Sequence, residues 1–434
     1  MSLIAALVLV LAPWPAWAQT ARVVAPVSGL ASASGFAAPA ANVSVLSAPS
    51  ALLTPSFSAL SAPSLQASGS PVPLEQAAIP AALASRAPLL PAASELPEPS
   101  IPLAVAAQTP AAPATTAEAA VRGKTVIMVG TKGSRPFIMQ EALRVAKELG
   151  LALVLVDDPA NRKNSIGTIP DSHFIPAPIN TRDAKTMGKI VDAVAAHPEG
   201  VQAHAVVGFM SLYANLTGKI TDRLGARGIP GAAVAAADDK PEARKLLNKV
   251  PGLEVPYREI ASDKQARQAY HDISENGKYK VILKTSRGEN SRFLAMGIKS
   301  EDAAAEAYLK MDAAVRDFVA RPEAKQTTFS SHPGIMMERM LEKLPGTEET
   351  SVEVVMQDGK AAFAMVTDTK GIGQKGELAG GIMVFPSQQP AAEHASLVEA
   401  AERAMRALGI FNGNARLDMF TTPEGPRVIE INPF

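Results

Sequence analysis

No lysine and no aspartate occurs before Lys124, and this asymmetry divides the 434-residue chain into a part able to build a core and a part with little to build one from. Residues 1–122 carry seven charges (Arg22, Glu75, Arg86, Glu95, Glu98, Glu118 and Arg122) and 17 of the 35 prolines. The hydrophobic content of 47% does not contradict this, because alanine inflates it. Prolines recur too often for a helix or a central strand. Large apolar side chains are too few to offset the entropy of ordering. Residues 19–122 therefore read as an Ala/Pro/Ser-rich linker, disordered and semi-extended, whose work is spacing. Limited proteolysis of the full chain should remove everything before about Arg122 and leave a resistant core. Protected fragments from 19–122 would overturn that expectation.

Ahead of the linker, residues 2–12 form a short apolar run followed by Pro13-Trp14-Pro15-Ala16-Trp17-Ala18. Small residues at Ala16 and Ala18 fit a signal-peptidase site, so residues 1–18 are expected to be a signal peptide. The n-region lacks Lys and Arg, which leaves an uncleaved anchor or a wrongly chosen start codon as alternatives. With a true signal the protein is exported, periplasmic or secreted; otherwise it is cytoplasmic. No later stretch is long enough to span a bilayer, so no stable span is expected after cleavage.

Lys and Arg number 42 and Asp and Glu 42, so no charge excess points to nucleic acid or an anionic membrane. Cysteine is absent, which excludes disulfides, thiolate metal sites and cysteine nucleophiles. The six histidines form no i, i+4 ligand pair, and no Gly-x-Ser-x-Gly elbow occurs. Gly123-Lys124-Thr125 lacks the preceding glycine of a P-loop and stands before the first strand instead of after it.

From Lys124 the pattern becomes that of a folded protein. Apolar strands at 124–130, 152–156 and 204–207 alternate with helical spacing at 136–149, 181–196 and 211–226. That alternation predicts a parallel sheet with helices on both faces over 123–236. Beyond it, helices at 239–250, 263–276, 301–319 and 390–408 are interleaved with strands at 279–284, 293–298, 335–340, 350–357, 360–368, 380–385, 413–421 and 426–432. This predicts an α+β region with antiparallel sheets over 237–434.

Four local patterns carry possible chemistry. Asp238-Asp239-Lys240 opens a helix that also bears Arg244. Lys284 ends a buried strand, where its desolvation asks for an anion, and the loop Thr285–Ser291 after it can wrap phosphates or be an ordinary hairpin. Ile335–Met340 is a Met-rich strand, equally a core strand or an adenine slot, leading to Glu349-Thr350-Ser351-Val352-Glu353. Asp418 and the pair Glu430 and Asn432 lie on alternate positions of two neighbouring strands and can converge as oxygen ligands of the kind Mg²⁺ prefers. A fifth segment, Gly130-Thr131-Lys132-Gly133, is a tight turn or a substrate loop at a sheet edge.

The order of the four patterns resembles the ATP-grasp superfamily of carboxylate–amine ligases across about 123–434. Leu224–Leu247 is similar to the family's junction, with a Pro-Gly turn and then Asp-Lys with Arg four residues on. Met337–Met340 resembles its adenine hinge, Glu349–Glu353 its Glu-x-Ser-Val-Glu, and Ala415–Asp418 with Glu430–Pro433 its two metal-binding strands. The Arg-x-Asp form is similar to D-alanine–D-alanine ligases and the junction to amino-acid and dipeptide ligases. The resemblance implies ATP and Mg²⁺ as cofactors and small carboxylate and amine substrates. It implies phosphate contacts from Lys240, Lys284 and the lid residue Ser291. Glu338 and Met340 would border adenine, Glu349 would take the ribose, and Asp418, Glu430 and Asn432 would hold metal. Arg416 would stabilise the anionic intermediate.

The sequence departs from the family in three places. Its lid reads Gly288-Glu289-Asn290-Ser291-Arg292-Phe293, in which only Gly288 and Ser291 fit Gly-x-Gly-Ser-x-Gly. Phe434 stands where an arginine is common, and relatives continue past this point, so either a truncated sequence or a reduced enzyme is expected. The leading expectation is an ADP-forming ligase working through an acyl phosphate on amino acids or short peptides. The alternative is a non-catalytic nucleotide-binding protein. Export adds a difficulty for either, since ATP is scarce outside the cytoplasm.

Overall fold

The computed structural model of the chain describes residues 121–131, 136–165, 169–200, 202–288, 293–322, 324, 331–371 and 381–434. The leader and linker lie outside these residues. Strand β1 (Thr125–Val129) is buried along its whole length, as its unbroken apolar run requires. It is followed by α1 (Pro136–Leu149), β2 (Ala152–Asp157), β3 (Phe174–Pro176), α2 (Ala184–Ala196), β4 (Ala203–Gly208) and, after one 3-10 turn, α3 (Ala214–Leu224). The strands are parallel in the order β3-β2-β1-β4, with Ile127 beside Val154 on one side and Val206 on the other. The two-residue side-chain period divides β1 between two cores. Val126 and Met128 pack with Ala142, Val145 and Leu149 of α1, while Ile127 and Val129 pack with Ile190 and Val194 of α2 and Leu216 and Ile220 of α3.

Two elements in the next stretch position the site. Helix α4 (Gly231–Asp238) lies close against α3: a Cβ on Gly218 would stand 2.8 Å from the Gly231 Cα. Helix α5 (Lys240–Leu247) starts where the Asp239 side chain accepts the Glu242 backbone N–H at 3.2 Å, a cap worth about 1 kcal/mol. The sequence pattern puts the start of this helix at Asp239 and a turn only at the Pro-Gly pair, so α4 is an element it does not mark. The Asp222 carboxylate accepts the Gly231 N–H at 3.0 Å, which lets a helix begin on a Pro-Gly turn signal.

After α5 come β5 (Tyr257–Ile260), α6 (Asp263–Ile273), β6 (Val281–Thr285), β7 (Leu294–Ile298), α7 (Glu301–Val319) and β8 (Ile335–Arg339). Their strands form an antiparallel sheet in the order β5-β8-β6-β7. Val281, Leu283, Ile335 and Met337 face α6 and α7 in one apolar cluster. Alternation then turns Lys284, Met336 and Glu338 to the other face.

The last sheet takes β9 (Glu349–Gln357), β10 (Lys360–Gly371), β11 (Gly381–Val384), β12 (Gly413–Thr422) and β13 (Gly425–Pro433), antiparallel in the order β11-β10-β9-β12-β13. Val352, Val354, Leu417, Met419 and Ile431 pack against α4, α5 and α8 (Ala391–Ala407). On the opposite face Val355 joins the α1 cluster of the parallel sheet, and further along that face the residues become polar. The architecture is a four-stranded parallel sheet followed by an antiparallel α+β region of two sheets. Among the described residues no helix is long and apolar enough to cross a membrane.

Candidate functional site

A buried ionic network joins α5, β6, β8 and β13. The Lys284 Nζ lies 2.5 Å from the Glu338 Oε1, and the Arg244 Nε donates to the Glu338 Oε2 at 2.7 Å. The remaining Arg244 donors reach the carbonyls of Val428 at 2.8 Å and Ile429 at 3.2 Å. Arg244, Lys284 and Glu338 are 3%, 8% and 4% exposed, so water screens these charges little. Burial pushes the Glu338 carboxyl up, but Arg244 and Lys284 together outweigh it and hold the group at about 2. For Lys284 burial dominates and lowers the ammonium pKa; Arg244 and Lys240 add to that, and Glu338 opposes it. Cations outnumber anions here, so an arriving anion is favoured.

Lys240 extends the positive side. Its backbone N–H donates to the Ser286 carbonyl at 2.9 Å and its Nζ to the Gly288 carbonyl at 3.0 Å. Arg287 pairs with Asp239 at 2.6 Å, so the start of α5 is tied to the loop after β6. The Lys240 Nζ also lies 3.4 Å from the Glu430 Oε1, where the basic side of the site meets the acidic one.

The acidic side is the polar face of the last sheet. Register sets Asp418 opposite Glu430, Arg416 opposite Asn432, and both Ser351 and Glu353 beside them on β9. The Asp418 Oδ1 accepts from the Ser351 hydroxyl at 2.7 Å, and its Oδ2 accepts from Arg416 and from the Asn432 amide, each at 3.2 Å. Glu349 and Glu353 stand on the same face of β9. Burial raises the pKa of each, and the Asp418 charge adds to the rise. Half-buried carboxylates that repel one another are what a hard cation would relieve. Among the described residues no three His, Asp or Glu side chains form a metal cluster; Asp418 faces Glu430 across the β12–β13 pair, and the Asn432 amide stands two residues further along.

Between this face and the C-terminal edge of the parallel sheet lies a cavity of about 280 Å³, with Lys240, Glu430, Asn432 and Pro433 on one wall. At that edge Gly130 has φ +78°, and a Cβ there would lie 2.3 Å from the Tyr213 ring. Thr131 donates to the buried Asp157, so this part of the segment is a packed turn. Lys132 and Gly133 lie outside the described residues.

Of the residues singled out from sequence, Lys240, Lys284 and Glu338 are drawn together on the basic side, and Arg416, Asp418, Glu430, Asn432 and Glu349 share the polar face. Met340 follows β8, half-buried, its N–H donating to the Lys280 carbonyl at 2.9 Å. Ser291 and its lid neighbours lie outside the described residues. Two residues without an assigned role belong to the same arrangement. Arg244 sits one turn after Lys240 on α5, a spacing visible in sequence. Ser351 is set by strand register, which sequence spacing does not reveal.

No family model matches the chain. Carnosine synthase 1 of Gallus gallus is 26% identical over 324 residues, covering 72% of this chain and 32% of that protein. The chain spans about a third of the length of the curated relatives it matches. Among solved structures, L-amino acid ligase from Bacillus licheniformis matches with a TM-score of 0.50 at 19% identity, over 72% of this chain and 67% of that one. The biotin carboxylase domain of Hydrogenobacter thermophilus 2-oxoglutarate carboxylase, in complex with MgADP, ADP and bicarbonate, matches with a TM-score of 0.51 at 16% identity, over 71% of this chain and 63% of that one.

Proposed function

We propose, from the ATP-grasp fold that this chain has, that it is an ATP-dependent, ADP-forming ligase joining a carboxylate to an amine, with amino acids or short peptides as substrates. The observation that carries the reading is the meeting of a cation-rich side with an oxygen-rich side at the 3.4 Å contact between Lys240 and Glu430. Phosphoryl transfer is mostly management of charge and position, and these two sides supply both. Likeness to an L-amino acid ligase and to carnosine synthase 1 supports the choice of substrate class.

In this reading Lys240 and Lys284 hold the phosphates, and Arg244 keeps Lys284 and Glu338 in place. Glu338 commits its carboxylate to that network, so it borders adenine through its backbone and its neighbour Met340. Glu349 takes the ribose hydroxyls. Asp418, Glu430 and Asn432 hold magnesium, which when bound with ATP neutralises phosphate charge and orients the transferred group. The substrate carboxylate attacks the γ-phosphorus, the bond to the β–γ bridging oxygen breaks and ADP leaves. An amine then attacks the acyl carbon, phosphate departs, and the amine loses a proton. Arg416 stabilises the negative charge that develops in both steps. The catalytic reading is preferred to a non-catalytic binder because Arg416 and the three oxygen donors share one face.

MgATP should raise the melting temperature of the full chain, because a ligand bound only by the folded state stabilises it. No shift at millimolar MgATP, together with no heat of binding by calorimetry, would sink the reading.

A further inference from the structure

Asp418 is the most enclosed of the three oxygen donors on the polar face: it is buried, whereas Glu430 and Asn432 are half-buried. Its carboxylate already accepts from three groups. The Ser351 hydroxyl donates to Oδ1 at 2.7 Å, while the Arg416 guanidinium and the Asn432 amide both donate to Oδ2 at 3.2 Å. A carboxylate has about four acceptor positions, two on each oxygen. Oδ2 is therefore filled, and the one position left is on Oδ1, the oxygen that Ser351 holds.

Ser351 is built to hold it. The residue is 2% exposed and lies on β9, the middle strand of the five-stranded sheet. Its Cα partners are Thr367 on β10 and Asp418 on β12, so its backbone is laddered on both sides. Its carbonyl also accepts from the Thr367 hydroxyl at 3.3 Å. A hydroxyl has one proton, and Ser351 gives it to Asp418. The Thr369 hydroxyl, 3.5 Å from the Ser351 oxygen, must then be the donor of that contact. A short side chain on a fixed strand, with its one proton committed, has little freedom to turn.

Resting on the ligase reading above, we propose that Ser351 is a positioning residue for the metal: it locks the Asp418 carboxylate in the orientation that leaves Oδ1 one acceptor position for a divalent cation shared with Glu430 and Asn432. Ser351 touches neither the cation nor a substrate and acts only through Asp418. Without the hydroxyl, Oδ1 loses its one donor in a place nearly closed to water. The carboxylate is then free to turn and offer Oδ1 to Arg416 or Asn432, and binding a cation includes the cost of undoing that rotation. Loss of an outer partner of a metal ligand lowers metal affinity by about 10–100-fold. A merely structural hydroxyl has a different signature. Its removal lowers the melting temperature and leaves the metal dependence of the folded protein as it was.

The test measures, by calorimetry on the full chain, the gain in ATP affinity when Mg²⁺ replaces a chelator. Ser351→Ala should shrink that gain by about 10-fold or more, with metal-free ATP affinity changed by less than about twofold. Ser351→Thr keeps the donor and should recover most of the gain. Thr367→Val removes the neighbouring buried hydroxyl without touching Asp418, and its gain should stay within about twofold of wild type. Asp418→Asn should shrink the gain as well, and adding Ser351→Ala to it should cost less than about twofold more, because residues acting at one point are not additive. An unchanged gain in Ser351→Ala, no recovery in Ser351→Thr, an equal fall in Thr367→Val, or a full further fall in the Asp418→Asn background would each overturn the positioning role and leave the ligase reading standing. Absence of any Mg²⁺-dependent gain in wild type would instead remove the metal assignment and the ligase reading, and this inference with them.

Discussion

Glu338→Ala should destabilise the protein by about 3–5 kcal/mol, because it strands Arg244 and Lys284 in the interior without their shared counter-charge. For a chain of this size that is a fall in melting temperature on the order of 10 °C. The loss comes from unpaired cations and not from a missing attraction, and the two causes can be separated. Converting Arg244, Lys284 and Glu338 together to methionine removes all three charges and keeps most of the volume. Stability should then return to within about 1–2 kcal/mol of wild type, as when other buried ion groups are replaced by apolar side chains of similar size. Nucleotide binding should not return, since the phosphate lysine is gone. A triple variant as unstable as Glu338→Ala would show that the network stabilises by attraction. The same network gives a pH signature. The Glu338 carboxyl is held at about 2 in the folded state, below its ordinary value of 4.5. Its contribution is therefore complete above about pH 4.5 and is lost as the pH falls towards 2. Acid unfolding of wild type should steepen in that window, and Glu338→Ala should lack the added slope.

How far this network could be read in advance depends on the range of each interaction. Lys284 and Glu338 are legible as strand residues because the strands declare themselves: Val281, Leu283, Ile335 and Met337 alternate with them and face the helices. Their pairing follows from register, Ile282 standing opposite Glu338 and Lys284 opposite Met336, and register depends on the whole sheet. Arg244 shows its spacing from Lys240 locally, but it lies 94 residues from Glu338, so that pairing is tertiary and carries no local signal. Short elements were the other loss. Strands β3 and β5 have 3 and 4 residues, too few to establish a period against loop composition. Helix α4 starts at a Pro-Gly turn signal and is nearly all alanine and glycine, so neither an apolar stripe nor a cap residue marks it; its cap is the Asp222 side chain, borrowed from α3. The polar face of the last sheet was the most legible feature. Arg416 and Asp418 are two apart on one strand and Glu430 and Asn432 two apart on the next, and a hairpin brings the pairs into line. Spacing alone could not show that Ser351 and Glu353 extend the face from β9, or that Lys240 reaches it from α5.

Glu430→Gln is expected to lower turnover by at least about 10²–10³-fold, the usual cost of losing one preorganised electrostatic stabiliser. The substitution keeps the size of the side chain and removes its charge. It should leave folding almost untouched. The partner Lys240 is 3.4 Å away, and the Glu430 side chain is 39% exposed, so water screens the pair. Pairs of that kind contribute at most about 1 kcal/mol. Repulsion from the nearby Asp418 and Glu349 carboxylates is relieved at the same time, which offsets part of even that loss. Nucleotide affinity without metal should also change little, because Lys240 and Lys284 remain. What should change is the dependence on magnesium. With Asp418 already accepting from Ser351, Arg416 and Asn432, Glu430 is the carboxylate of the set least committed to neighbours on its own sheet. The gain in ATP affinity on raising Mg²⁺ should therefore shrink sharply in Glu430→Gln, a readout that needs no knowledge of the substrates. An exposed strand glutamate without a metal role would leave the Mg²⁺ dependence of ATP binding equal in the two proteins. That equality would refute the metal assignment and, with it, the meeting of charges at Lys240 and Glu430 on which the ligase reading stands.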